Sequence, residues 1–396
     1  MVDSLLDTIQ VGCKHKYCGN AYIHVDFEDY EMSLTKYYFL SVFSLLFLIS
    51  GCGGGGEAAD QPVTPAPTPA PIPETDNGIP VVKEIGTYSV VLDEDITYAN
   101  GLAVDNSNSD PFAIPLKLDV YYPENDASTR PVFMFIHGGG FTGGTKTKPE
   151  IVEMGNFYAS RGWVFVSIDY RTTEELGSLQ GLSQQDVMAR YRGLAPQEWI
   201  EYGIQGAEKT KELQQSVAMY MAQRDAKAAL RWIVANSNIY EIDTDLITVG
   251  GASAGAVTAI ALGISNLESF KDEISVTDDP TLSSTNLNEA YEVKSMVYFW
   301  GSNVKLELYE AVYGFDQYDV HDPELFMAHG TNDQNPGTPF SEATELQGIY
   351  DSLSIYNAIV PLEGKGHGAW DAKVDGEGLF DLSFDFIVDR QNLTVE

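Results

Sequence analysis

The five residues Gly-Ala-Ser-Ala-Gly at 251–255 lie between an apolar run and a stretch of small residues. The run at 246–250 predicts a buried strand, and residues 254–263 predict a helix. Glycines on both sides allow the sharp turn that exposes a serine at the end of such a strand, and the N-terminus of the following helix favours developing negative charge. The segment therefore predicts a nucleophile elbow that presents Ser253, whereas the alternative is a simple glycine-rich turn.

A second glycine-rich segment, His-Gly-Gly-Gly at 137–140, follows the apolar run 132–136. Glycines at a strand end let backbone N–H groups face a ligand without interference from side chains. Together with the N–H of Ala254, these groups are expected to form an oxyanion hole. The alternative is a phosphate-binding loop, although the segment lacks the Lys-Ser/Thr ending of a P-loop and the glycine spacing of a dinucleotide fingerprint.

A serine nucleophile needs a base, and only four histidines follow residue 52: His137, His321, His329 and His367. The first of them begins the glycine run. The chain order typical of this elbow is serine, then acid, then histidine, and both His321 and His329 precede the expected acid. His367, in a glycine-flanked loop at 364–370, is therefore the predicted base; the alternative is an exposed loop histidine.

The acid that orients this histidine is expected in a loop at the carboxyl end of the preceding strand. Asp333 fits that position, in the segment Ala-His-Gly-Thr-Asn-Asp at 328–333. The alternative for this residue is a turn-capping aspartate, which is common beside Asn and Gly. Asp322 and Glu363 are the reserve acids.

Short β-rich runs alternate with helical stretches from residue 87 onward. The predicted strands are 87–92, 117–122, 132–136, 163–169, 246–250, 294–300, 325–329 and 358–362, and the predicted helices are 150–160, 217–236, 254–263, 340–352 and 379–388. Continuous apolar runs are typical of strands covered on both faces, so we expect an α/β architecture with a mostly parallel sheet of about eight strands flanked by helices. Residues 172–216 interrupt the alternation and predict a helical insertion, either a lid over the site or a remote surface addition.

These motifs together resemble those of a known family. From about residue 117 to 386, the chain is similar to bacterial esterases of the α/β-hydrolase superfamily, near the hormone-sensitive-lipase-like and related carboxylesterase groups. The matching segments are 119–123, 137–140, 167–171, 224–232, 250–255, 329–333 and 366–368. The lipase-like group usually has an acidic residue before the nucleophile, where this chain has Ala252, so the subfamily stays open.

The resemblance implies the α/β-hydrolase fold and a specific set of site residues. Ser253, Asp333 and His367 would form the triad, and the backbone of Gly139, Gly140 and Ala254 would form the oxyanion hole. No metal and no other cofactor is expected. Three further positions that match the family, Asp169, Arg171 and Asp225, are interpreted as an ion-paired structural frame under the site.

The N-terminal region predicts export. A charged start, a short apolar run and small residues over 32–51 are typical of a signal peptide, and the ending Ile-Ser-Gly-Cys resembles a bacterial lipobox with lipidation at Cys52. The alternative is a plain membrane-anchor helix. Residues 1–31 are interpreted as an overlong start, 52–80 as the lipidated cysteine with a Gly/Pro-rich linker, and 81–396 as the hydrolase domain. The expected location is the outer membrane or the cell surface.

Charge limits the partners of the chain. Lys and Arg total 23 against 58 Asp and Glu, for a formal charge of −35. This charge repels nucleic acid and excludes it as an expected partner. The sequence thus predicts a serine ester hydrolase for short-chain or polysaccharide-linked acyl esters, held at a membrane through Cys52. A serine peptidase or amidase, and a non-catalytic binding module of the same fold, are the alternatives.

Overall fold

The computed structural model describes residues 80–106, 110–303, 311–312 and 318–396. The predicted extension at 1–31, the predicted leader at 32–51 and Cys52 with nearly all of the linker lie outside the described residues. Export and lipidation therefore stay predictions. Among the described residues, no helix combines the length and the hydropathy needed to cross a bilayer.

The centre of the domain is an eight-stranded sheet. Its strands are β2 (Val90–Ala103), β3 (Phe112–Pro123), β4 (Arg130–Ile136), β5 (Val164–Ile168), β6 (Ile242–Ala252), β7 (Val293–Phe299), β8 (Glu324–Gly330) and β9 (Asn357–Leu362). The two-residue β1 (Val81–Val82) precedes them in the chain and lies outside this sheet. Their spatial order is β2-β3-β5-β4-β6-β7-β8-β9. Only β3 runs antiparallel to its neighbours in this sheet, β2 and β5, and every other pair is parallel. The predicted number and direction of strands are confirmed.

Helices cover both faces of the sheet. They are α1 (Pro149–Ala159), α2 (Gln184–Tyr191), α3 (Gln197–Gly206), α4 (Thr210–Ala235), α5 (Ser237–Tyr240), α6 (Ala254–Ile264), α7 (Phe340–Leu353) and α8 (Leu379–Gln391). Side chains of β4 alternate between the faces: Phe133 and Phe135 pack with residues of α1 and α8, while Val132 and Met134 pack with residues of α4 and α6. Because both faces are buried, the strand is apolar from Pro131 to Ile136, as the run at 132–136 indicated.

Several predicted boundaries were wrong: β3 begins at Phe112 rather than at residue 117, β6 begins at Ile242 rather than at residue 246, and two other elements differ by more. The first strand, predicted over 87–92, begins at Val90 and continues to Ala103. The sequence did not indicate the full strand because β2 is an edge strand of polar composition. The residues Asp-Glu-Asp at 93–95 have low strand propensity. Helix α4 begins at Thr210 rather than at residue 217, so the end of the predicted insertion is part of this long helix.

The insertion at 172–216 is helical, as predicted, and it contacts the glycine run. It contains a 3₁₀ turn at Thr173–Leu176, helices α2 and α3, and the start of α4. Gln215 Nε2 donates to the carbonyl of Gly140 (2.8 Å), and the N–H of Thr173 donates to the carbonyl of Phe141 (2.8 Å). These two bonds join the insertion to the loop that follows β4, which argues against a remote surface addition.

Candidate active site

Ser253 lies in the sharp turn between β6 and α6. Its backbone has φ 56° and ψ −122°, a conformation that a non-glycine residue rarely adopts. The flanking glycines are required by close packing: a Cβ on Gly251 would lie 2.3 Å from the backbone of Gly255, and a Cβ on Gly255 would lie 2.0 Å from the carbonyl oxygen of Ile136. The turn therefore has the geometry of a nucleophile elbow, with the serine at the N-cap of α6.

His367 reaches this serine from the loop after β9. Its Nε2 lies 3.0 Å from Ser253 Oγ, and its side chain is 30% exposed. Gly364 and Gly368, with φ of 71° and 79°, allow the loop to turn on both sides of the histidine. The imidazole is thus within hydrogen-bond reach of the hydroxyl, as a general base must be.

Asp333 lies in the loop after β8 and is the third residue in a line of contacts that runs from Ser253 through His367. Its Oδ2 lies 2.8 Å from His367 Nδ1, and its side chain is fully buried. Its Oδ1 accepts the N–H of Asn335 (2.9 Å), so the turn-capping interpretation also describes this residue. One carboxylate oxygen closes the turn and the other faces the imidazole. The reserve acids make other contacts: Asp322 accepts the N–H of Asp319, and Glu363 accepts a long bond from Thr331.

Two side chains beside this line were not predicted as site residues. His329 Nε2 lies 3.0 Å from Asp333 Oδ2, and Thr338 Oγ1 lies 3.1 Å from His367 Nδ1. Both His329 and Thr338 are buried. The position of His329 within the His-Gly-Thr-Asn-Asp segment was a signal for it, whereas nothing in the sequence singles out Thr338.

The glycine run packs directly against the elbow. A Cβ on Gly138 would lie 2.6 Å from the carbonyl oxygen of Ala252 and 3.0 Å from the Cβ of Ser253. Gly139 and Gly140 have positive φ values of 150° and 63°. Among the hydrogen bonds between described residues, the backbone N–H groups of Gly139, Gly140 and Ala254 have no acceptor. They are therefore available donors: that of Ala254 directly follows the serine in the chain, and those of Gly139 and Gly140 follow the glycine that packs against it.

His137, at the start of this run, is buried and neutral near pH 7. Its side chain is 1% exposed and stacks on Tyr170 with ring centroids 4.3 Å apart. Burial lowers the pKa of His137 to about 4, and the charge of Lys148 acts in the same direction. Lys148 Nζ donates to the carbonyl of Gly138 (2.8 Å), and Tyr170 OH donates to the carbonyl of His137 (2.9 Å), so two side chains hold the start of the loop.

The depressed pKa of His137 predicts an acid-sensitive fold. An unfolded histidine titrates near 6.5, so between about pH 6.5 and pH 4 the unfolded chain binds a proton that the folded chain resists. This contribution is complete above pH 6.5 and is lost as the pH falls. Between pH 7.0 and pH 4.5, we expect the unfolding free energy of wild type to fall by about 2 kcal/mol more than that of His137→Gln. Urea titrations at the two pH values measure this difference. His321→Gln, at an exposed loop position, is the control; equal losses in wild type and His137→Gln would contradict the assignment.

An ion-paired frame lies behind the site, as predicted for Arg171 and Asp225. Arg171 Nη2 and Nε lie 2.6 Å and 2.9 Å from the two carboxylate oxygens of Asp225, and both side chains are buried. Asp169 belongs to a different group: it accepts the N–H of Lys146 (2.7 Å) and lies 3.8 Å from His137 Nε2. The fork-like pairing joins the end of β5 to α4 and so fixes the base of the insertion.

Comparison with known families decides the membership of this chain. The BD-FAE family profile matches residues 118–186 and 211–347, just over half of the chain. The chain belongs to the BD-FAE family. Members of this family are α/β-hydrolase esterases, and the fold described above is the α/β-hydrolase fold. The matched segments contain Ser253 and Asp333, and the gap between them lies inside the helical insertion.

Curated relatives align over a limited region. Acetylcholinesterase of Gallus gallus is 29% identical over 194 residues, which are 48% of this chain and 21% of the relative. Phenmedipham hydrolase of Pseudarthrobacter oxydans is 29% identical over 147 residues, or 37% of this chain and 22% of the relative. Esterase B1 of Culex pipiens is 30% identical over 144 residues, or 36% and 21%. The chain thus spans about a fifth of the length of these relatives.

Solved structures with a similar chain path include two esterases. A truncated carbohydrate esterase from gut microbiota aligns with a TM-score of 0.46 and 17% identity, covering 78% of this chain and 99% of that one. Esterase 2 of Thermogutta terrifontis, phosphoramylated by tabun, aligns with a TM-score of 0.47 and 20% identity, covering 75% and 94%.

Proposed function

We propose that this chain is a serine carboxylic ester hydrolase in which Ser253 is the nucleophile, His367 the base and Asp333 the acid. The observation that carries the proposal is the continuous line of contacts from Ser253 Oγ to His367 Nε2 (3.0 Å) and from His367 Nδ1 to Asp333 Oδ2 (2.8 Å). With its Nδ1 proton directed at the carboxylate, the imidazole keeps Nε2 free to accept the proton of the serine.

The proposed reaction is acyl transfer in two steps. Ser253 Oγ attacks the ester carbonyl while His367 accepts its proton, and the oxyanion is stabilised by the backbone N–H groups of Gly139, Gly140 and Ala254. His367 then protonates the leaving alcohol. Water attacks the acyl-enzyme with the same histidine as base, and release of the acid restores the serine hydroxyl.

Short-chain or carbohydrate-linked acyl esters are the proposed substrates. The space above Gly140 is bordered by polar atoms, since a Cβ placed there would lie 3.9 Å from both Gln215 Nε2 and Thr142 Oγ1. A polar border suits a hydroxyl-rich alcohol better than a long alkyl chain. The charge of −35 disfavours anionic esters. The names of two curated relatives, acetylcholinesterase and Esterase B1, support ester rather than amide hydrolysis.

The test is hydrolysis of p-nitrophenyl acetate, butyrate, octanoate and palmitate by the full chain, with fluorophosphonate labelling in parallel. We expect higher kcat/KM for acetate and butyrate than for palmitate, and a probe adduct on the peptide that contains Ser253. Labelling without ester hydrolysis would indicate a peptidase or amidase. Neither labelling nor hydrolysis would indicate a non-catalytic binding module.

Loss of the Gln215 side-chain donor is expected to lower kcat about threefold to tenfold, because the carbonyl of Gly140 loses its partner and the oxyanion loop is less constrained. The measurement is kcat on p-nitrophenyl butyrate for Gln215→Leu. Gln214→Leu is the matched control, since Gln214 Nε2 donates within the insertion, to the carbonyl of Gly177 (2.6 Å). Equal effects of the two substitutions would show that the insertion acts only through general stability.

A further inference from the structure

A second histidine binds the same carboxylate oxygen as the proposed base. His329, at the end of β8, is fully buried, and its Nε2 lies 3.0 Å from Asp333 Oδ2 and 3.0 Å from the carbonyl oxygen of Thr338. His367 approaches this Oδ2 atom at 2.8 Å. One oxygen of Asp333 therefore faces two imidazoles, of which the proposed reaction uses only one.

The contacts of His329 fix its tautomer. A backbone carbonyl can only accept a hydrogen bond, so Nε2 must carry the proton and donate it to Thr338 and to Asp333. The other nitrogen, Nδ1, lies 3.5 Å from the hydroxyl of Tyr298. The rings of Tyr298 and Phe340 flank the imidazole, at centroid distances of 6.0 Å and 5.8 Å. Burial in this pocket lowers the pKa of His329 and disfavours the imidazolium form.

We infer that His329 is a positioning residue for the ester hydrolase reaction: as a neutral Nε2–H donor, it holds Asp333 in the orientation that accepts His367 Nδ1–H. The inference rests on the proposed function. His329 holds Oδ2 and the N–H of Asn335 holds Oδ1, so the carboxylate is fixed at both oxygens before the base contacts it. A carboxylate fixed in this way orients the base without having to reorganise during the reaction.

The same bond disperses part of the negative charge of Asp333. Without the donor, the full charge would act on His367, which would favour imidazolium and leave less free base at neutral pH. The titratable groups around His329 are Asp333, His367 and Tyr298, with Glu342 acting on Tyr298. Replacing His329 by a side chain with no donor is therefore expected to change both the orientation and the protonation of the base.

The first measurement is histidine ¹⁵N NMR on the full chain, which reports tautomers whether or not any ester is cleaved. We expect His329 to be the neutral Nε2–H tautomer at pH 7 to pH 8, with Nδ1 unprotonated. In His329→Leu, the Nδ1–H resonance of His367 should move. An Nδ1–H or imidazolium form of His329, or an unchanged His367 resonance in the folded variant, would overturn the inference. If wild type cleaves no ester, the proposed function fails while this measurement still decides the role of His329.

The second measurement is the pH dependence of kcat/KM. We expect His329→Leu to lower kcat/KM at pH 7 roughly 10- to 100-fold and to move the midpoint of the acidic limb to higher pH. His329→Gln, whose amide N–H can replace the donor, should restore most of the activity and the wild-type midpoint. Tyr298→Phe alters the same buried pocket at Nδ1 and should leave the midpoint unchanged. A rate loss in His329→Leu without any movement of the midpoint would assign His329 a merely structural role.

Discussion

Replacing Ser253 with alanine is expected to reduce kcat for p-nitrophenyl butyrate by on the order of 10⁶. The proposed reaction passes through an ester of this hydroxyl, and neither His367 nor the backbone donors can replace the lost oxygen. The rate that remains should come from substrate binding and oxyanion stabilisation by the glycine run. The measurement is steady-state hydrolysis together with fluorophosphonate labelling, and both signals should disappear in the variant.

The Ser253→Ala result requires a folded variant, and the structure indicates that one will form. The Ser253 side chain points to His367 and makes no capping hydrogen bond to helix α6. Alanine keeps the Cβ that packs near Gly138. The positive φ at this position is the one cost shared by both residues. Ser352→Ala, the same substitution at an exposed helix position, is the control for expression and purification of a variant protein. Wild-type rates in Ser253→Ala would remove this serine from the reaction and leave the elbow as a turn.

The sequence predicted the elbow and the sheet because both have short-range signals. An apolar strand followed by Gly-x-Ser-x-Gly and a run of small residues is a local pattern. A Cβ on Gly251 or Gly255 would lie only 2.0–2.3 Å from neighbouring backbone atoms, so each glycine is required where it stands. The central strands are covered on both faces, so their apolar runs identify them without knowledge of their neighbours. The contact between Ser253 and His367 joins residues that are 114 positions apart, and it was inferred from chain order, from elimination among four histidines and from the family resemblance.

Long-range packing accounts for what the sequence did not predict. The segment 265–292 carries no strand or long helix, yet it surrounds buried charges on α4: Lys227 donates to the carbonyls of Asn266 and Ser269, and Arg224 pairs with Asp279. Charged residues at these positions of a helix ordinarily indicate a solvent-facing side. Only the tertiary structure shows that a neighbouring segment supplies their partners, which is why α4 has no clear amphipathic pattern.

His329 shows a similar limit within the site. The order of the motif excluded it as the base, and that exclusion agrees with its position, since its Nε2 faces Asp333 rather than the serine. Its contact with the carboxylate depends on the turn at 330–338, which returns the carbonyl of Thr338 to the same nitrogen. Chain order can select which histidine meets the serine, but it carries no information about a second donor on the acid.

The second large effect is expected for Asp333→Asn, which should lower kcat by about 10⁴ at neutral pH. Each oxygen of Asp333 accepts an N–H: Oδ1 accepts that of Asn335, and Oδ2 accepts those of His329 and His367. An asparagine has one NH₂ group, so in either orientation of its amide this group faces an N–H donor and cannot accept its hydrogen bond. Where the NH₂ faces His367, the imidazole must present Nδ1 as acceptor and carry its proton on Nε2, where it can no longer accept the proton of the serine.

The reserve acids provide matched controls for this prediction. Glu363→Gln and Asp322→Asn remove the same charge in the same part of the chain and should keep kcat close to the wild-type value. Histidine ¹⁵N NMR should show the changed His367 tautomer only in Asp333→Asn. If Glu363→Gln lost activity while Asp333→Asn retained it, the acid would be Glu363, and Asp333 would be the turn-capping residue that its bond to Asn335 also describes. Because the buried carboxylate accepts from both histidines, its loss should affect both imidazole signals, whereas loss of the exposed Glu363 should affect neither.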